Sequence, residues 1–148
     1  MRKIRWVGIV LIIFLVVVVI GNVWAEEKEK KHPIDVWLEK CIEKDSSTAG
    51  MIKCSGKAYE MWDKEMNKVY QELMKKLSPE EKELLKESQK QWLKFRDSEF
   101  RFLDKFFEGY GTILPVLKAG EKISIIKERT KRLDSYLFYI NEAIDKGR

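Results

Sequence analysis

The chain has 148 residues, with 29 Lys and Arg against 24 Asp and Glu and a formal charge of +5. That length allows one small domain with a single core. Acidic and basic residues are interspersed, as in Glu26-Glu27-Lys28-Glu29-Lys30-Lys31, and no cluster forms a nucleic-acid patch, which argues against DNA or RNA as a partner.

The N-terminus reads as an export signal, with Arg2, Lys3 and Arg5 ahead of an apolar run from Val7 to Ile20. Val23-Trp24-Ala25 offers a cut after Ala25, making residues 1–25 the signal peptide. The alternative is a membrane anchor formed by residues 6–21. That stretch falls short of the ~20 residues a spanning helix needs, which favours cleavage. No cysteine stands at the cut site to carry a lipid. Either way the remainder lies outside the cytoplasm, periplasmic or extracellular, and touches membrane only through this segment. The leader holds three of the 29 basic residues and none of the 24 acidic ones, so the exported part carries +2.

Residues 26–33 form a charged linker, and residues 34–148 a single helical domain. A short helix is expected over about Ile34 to Glu43, where Ile34, Trp37, Leu38 and Cys41 recur at helical spacing. Asp45-Ser46-Ser47-Thr48 supplies turn and N-cap residues. Cys41 and Cys54 flank that turn, and an even cysteine count in an oxidising compartment favours a disulfide. Such a bridge contributes roughly 3 kcal/mol in the chain-entropy model. A redox or nucleophilic cysteine would need a partner, and the only histidine, His32, sits in the linker.

A long helix follows, from about Ala49 to Leu77, in which Gly56 is tolerable. Ser78-Pro79-Glu80-Glu81 then combines a capping serine, a proline suited to the first helical position and a capping-box glutamate. The next helix runs over about 79–108, until Gly109 and Gly111 stop it. Gly109-Tyr110-Gly111-Thr112 and the residues up to Pro115 form a loop. A last helix covers about Val116 to Asp145, with Ala119-Gly120 a point where it can break. Its stripe is Ile126, Leu133, Leu137, Ile140 and Ile144. No alternating strand pattern occurs. The fold class is all-α, a small bundle built on a long antiparallel helical hairpin.

At 100° per residue, Tyr59, Trp62, Met66, Tyr70, Leu73 and Leu77 share one arc, with Asp63 inside it and Asn67 on its edge. Gln89 and Arg96 fall in the middle of the next helix's apolar face, among Leu85, Trp92, Phe100 and Leu103. Polar groups in a core must be paired. A hairpin folded at Ser78 sets Asn67 against Gln89 and brings Asp63 within a turn of Arg96. The expectation is an inter-helix network of Asp63, Asn67, Gln89 and Arg96 that fixes register, rather than an acid–base pair. Trp62 and Trp92 read as packing, and Met61, Met66 and Met74 as core filler.

These residues resemble the lysozyme inhibitor LprI-like family of exported bacterial proteins. The match runs through Cys41 and Cys54, then Tyr59 and Trp62 leading into Asp63, Asn67 and Tyr70. It continues with Gln89, Trp92, Arg96 and Asp97, and ends with Arg129, Thr130, Leu133 and Tyr136. Many relatives carry a second cysteine pair, with one member where this chain has Phe100 and the other near Glu121. The resemblance therefore implies that Cys41 and Cys54 form the retained bridge. Phe100, Phe102, Phe106 and Phe107 would replace the lost one by packing.

The resemblance implies a binding module of the cell envelope that inhibits a lysozyme-type cell-wall hydrolase. The alternative is a structural or envelope-stress protein with another envelope partner. No Ser-His-Asp set, activated cysteine or metal-ligand spacing stands in the sequence, so no enzyme activity, cofactor or metal is expected. Gly109, Tyr110, Gly111 and Thr112 are the candidate partner-binding loop, either an insertion element or a plain connector. Trp37 and Tyr110 are the aromatics left free for a binding platform.

Overall fold

A computed structural model describes residues 31–109, 111 and 113–145, with the side chains of Ile144 and Asp145 not described. The leader, most of the charged linker, Tyr110 and Thr112 lie outside the described residues. Four helices follow one another: α1 (Pro33–Lys44), α2 (Thr48–Lys76), α3 (Pro79–Phe106) and α4 (Leu114–Asp145). No strand occurs among the described residues, and the fold is an all-α bundle.

Local chemistry sets the helix starts. His32 Nδ1 accepts the Ile34 amide at 3.3 Å, and Pro33 occupies the first turn of α1. Ser47 Oγ accepts the Gly50 amide at 3.0 Å and opens α2. At α3 the capping box is complete: Ser78 Oγ accepts the Glu81 amide at 3.3 Å, and the Glu81 carboxylate accepts the Ser78 amide at 2.8 Å. Each such cap supplies about 1 kcal/mol.

α1 folds back along α2. The Cys41–Cys54 disulfide joins them near the turn, and His32 stacks on Trp62 at the far end, with ring centroids 4.3 Å apart. α3 runs antiparallel to α2, with Met66 opposite Gln89 and Tyr59 against Phe100. α4 runs antiparallel to α3 and so parallel to α2, which places Lys127 beside Trp62 and Ile140 beside Leu73.

The closest backbone packing is between α2 and α4, not within the α2–α3 hairpin. The hairpin register is thus close to the expected one, but long side chains such as Tyr59, Phe100 and Gln89 bridge a wider gap. The reason lies in the buried set. Ala58, Trp62, Met66, Val69 and Leu73 from α2 meet Ile123, Ile126, Leu133 and Leu137 from α4, with Ile34 and Leu85 closing the edges. Each large apolar side chain buried this way contributes about 1.5–3 kcal/mol.

α4 is continuous from Leu114, with no break at Ala119-Gly120. Gly120 is exposed and nothing lies within 4 Å of a Cβ placed there, so its propensity cost of about 1 kcal/mol falls on the solvent side. Ile123, absent from the expected stripe, is buried.

Candidate functional site

Three motif residues, Gln89, Arg96 and Arg129, gather around Trp92, half-buried at the junction of α3 and α4. The Arg96 guanidinium carbon lies 5.7 Å from the centroid of that ring, and the Arg129 carbon, reaching from α4, lies 5.8 Å from it. Arg129 Nε donates to Gln89 Oε1 at 2.9 Å, and Arg129 Nη2 donates to Ser88 Oγ at 3.3 Å. Gln89 is buried, and its Nε2 donates to Met66 Sδ at 3.7 Å. Gln89 thereby ties α3 to both of its neighbours. Burial of the Arg129 guanidinium pulls its pKa down from the usual arginine range, and the Tyr136 hydroxyl pushes it back up.

The pattern continues along α3. Arg96 also lies 5.9 Å from the Phe100 ring, and Lys122 Nζ lies 5.0 Å from it. Tyr59 meets the same ring edge-on at 5.8 Å. Burial raises the Tyr59 pKa, the nearby Arg96 opposes that shift, and Asp63 and Asp97 add to it. Asp104 caps the row, bonded to Lys122 at 2.8 Å and paired with Lys118 at 3.3 Å, and those cations hold its carboxyl below the usual range. Alternating cations and rings attract one another by roughly 0.5–2 kcal/mol each. The arrangement clamps helices together and places no base beside a nucleophile.

The four residues expected to form one network are divided. Asn67 Nδ2 donates within its own helix to the Asp63 backbone oxygen at 2.8 Å and to the Asp63 carboxylate at 3.3 Å. Arg96 donates to its neighbour Asp97, at 2.9 Å from Nε and 2.6 Å from Nη2, rather than to Asp63. Gln89 bonds Met66 and Arg129 rather than Asn67. The wider spacing of α2 and α3 explains this, because short side chains such as Asp63 and Asn67 do not reach across. Arg129 supplies the missing link. Its R-T-x-x-L segment stands in the sequence, but its partners Gln89 and Ser88 lie on α3, outside any pattern within α4 itself.

Trp62 is 1% exposed, with His32 over its face and Lys127 Nζ at 5.5 Å from the ring. Lys127 is itself paired with Asp35 on α1. His32, expected in the charged linker, is instead the α1 cap and the cover of Trp62. Tyr70 is half-buried against the core. The aromatic packing expected in place of a second bridge is met in part: Phe100 and Phe107 are half-buried, whereas Phe102 and Phe106 are exposed and stack on each other at 5.4 Å. They lie on α3's outer side, away from Leu85 and Leu103. In the candidate loop, Gly109 and Gly111 are exposed with φ of 82° and 57°, a region that disfavours any other residue. Trp37 stands at the margin of exposure on α1.

A family model described as lysozyme inhibitor LprI matches residues 41–133, well over half of the chain. The chain belongs to the LprI family. The matched span begins at the bridge cysteine Cys41 and ends at the core residue Leu133, so the Gln89–Arg129 junction lies wholly within it. Among solved structures, one from Burkholderia thailandensis, titled a putative uncharacterized protein, is similar at a TM-score of 0.70 and 29% identity. The alignment covers 75% of this chain and 56% of that one, so the chain spans little more than half of that structure's length. No curated protein matches the chain. No helix among the described residues is long and apolar enough to cross a membrane.

Proposed function

We propose that this LprI-family chain is an exported, non-catalytic binding protein of the bacterial envelope that inhibits a lysozyme-type cell-wall hydrolase. The observation that carries the reading is the family match over residues 41–133. Two features support the export half. The leader has the charge and apolar pattern of a signal peptide, and the Cys41–Cys54 bridge suits an oxidising compartment.

Inhibition would use the outside of the bundle, because Gln89 and Arg129 are engaged in joining the helices. The loop carrying Gly109 and Gly111 is the place for the contact, at the open end where α3 hands over to α4. With an exported charge of +2, long-range attraction to a basic lysozyme is weak, so shape and apolar contact would have to supply the affinity. That same charge favours the second reading, an envelope partner other than a lysozyme. Immobilising the oxidised protein and titrating purified lysozymes separates the two. Saturable binding at micromolar concentration supports inhibition, and its absence across several lysozyme classes supports the other partner.

A further inference from the structure

Leu84, Phe95, Phe102 and Phe106 on α3 are 67%, 53%, 57% and 57% exposed. At 100° per residue all four lie within about 20° of one line, while the core positions Leu85, Gln89 and Leu103 lie about 80–120° away. α3 therefore has a second apolar stripe that nothing in the bundle covers. Its two ends differ. At the α3 N-terminal end Leu84 borders an open apolar groove of about 430 Å³, lined also by Leu73, Leu77, Tyr136, Tyr139 and Ile140. At the other end the stacked Phe102 and Phe106 rings project outward. Leu84 and Phe102 are about 27 Å apart along the helix at 1.5 Å per residue.

The charges beside the stripe have a matching polarity. On one flank the N-terminal half of α3 presents Glu80, Glu83 and Glu87, all exposed, with Lys90 at the edge of that flank and Glu83 already paired with Lys86. On the same flank the C-terminal half presents Lys94, Arg101 and Lys105, also exposed, with Lys105 paired to Glu108 of its own chain. A parallel copy would set like charges together. An antiparallel copy sets acid against base.

We infer that α3 is a self-complementary docking face whose partner is a second copy of this chain, packed antiparallel about a two-fold axis near Leu93. In this pairing Leu84 faces Phe102 of the other copy, Phe95 packs over Gln91, and the Ser88 and Ser98 positions leave room between the rings. This register also brings the projecting Phe102–Phe106 pair of each copy to the other's groove. Such an interface uses one patch twice and closes on itself. In the same register Glu87 of each copy lies on the flank of Arg101 of the other, about 3 Å away along the axis and within reach of its long side chain. The two Lys94 side chains lie on the same flank on either side of the axis, about 3 Å apart along it, a repulsion that limits the affinity.

Sedimentation of the oxidised full chain, at concentrations up to about 100 µM, tests this together with charge reversals. The expected result is a monomer–dimer equilibrium that Glu87→Arg and Arg101→Glu each weaken about tenfold or more. Combining them should restore the wild-type constant, because the pair is re-formed with opposite sense. Phe102→Ser should give a monomer with unchanged helix content, and Lys94→Ser should tighten the dimer. A wild-type monomer throughout the range would overturn the proposal. So would single reversals without effect, or a double reversal that fails to restore.

Discussion

Arg129 of α4 donates a hydrogen bond to the buried Gln89 of α3 at 2.9 Å, and the other end of that amide bonds Met66 of α2. One glutamine therefore connects the three long helices. Its neighbour Trp92, with Arg96 at 5.7 Å and Arg129 at 5.8 Å from its ring centroid, completes the junction.

Removing either partner should be costly, because the other is left buried without its bond. Arg129→Leu strands the Gln89 oxygen, and Gln89→Leu strands a partly buried guanidinium. Each is expected to lower stability by about 1–3 kcal/mol in urea denaturation. The double variant should lose less than the sum of the two. Strict additivity would show that the residues act independently.

Breaking the bridge should act first on α1. Cys41→Ser with Cys54→Ser is expected to cost about 3 kcal/mol. It should also loosen the His32 ring from Trp62, shifting tryptophan emission to the red. A variant with unchanged emission and melting temperature would show that Asp35–Lys127 and core contacts hold α1 without the bridge.

Gly50 is buried, and a Cβ added there would come within 2.2 Å of Asp45 Cγ and 2.5 Å of the Asp45 backbone oxygen. Gly50→Ala should therefore displace the turn between α1 and α2, even though alanine is the better helix former. A loss of about 1–3 kcal/mol is expected by thermal denaturation. Any gain in stability would contradict the close approach.

Asp104 titrates below the usual carboxylate range because Lys122 and Lys118 hold its charged form. A depressed carboxyl contributes stability above its unfolded pKa, and that contribution disappears as pH falls through the folded value. Asp104→Asn should thus flatten the acid limb below about pH 4 and change little at pH 7 beyond the loss of an exposed pair. Parallel acid limbs for the variant and the wild type would show that the pairing is not held in solution.

Much of this architecture was legible in residue types. Ser78, Pro79 and Glu81 mark one helix start, and Ser47 marks another, because caps are local chemistry. The apolar arcs of α2 and α4 follow from periodicity. What covers an arc does not. A stripe says that Trp62 and Met66 need a partner, but α3 and α4 offer comparable faces. Packing of Ile123, Ile126 and Leu133 on α2 decides for α4. That choice moves α3 outward, which is why Asp63 and Asn67 bond each other and Gln89 turns to Arg129. The exposed Phe102–Phe106 pair departs from expectation for another reason: aromatic content signals burial on average, and only the helix position shows which rings face out.

Inhibition by the folded exterior of an LprI-family bundle is read directly by the turbidity of a cell-wall suspension digested by lysozyme. Residues 26–148, oxidised at Cys41–Cys54, should slow clearing in a saturable way at micromolar concentration. Gly109 and Gly111 substitutions should weaken that effect more than they lower the melting temperature. Clearing at an unchanged rate with about 100 µM of the folded protein would contradict it.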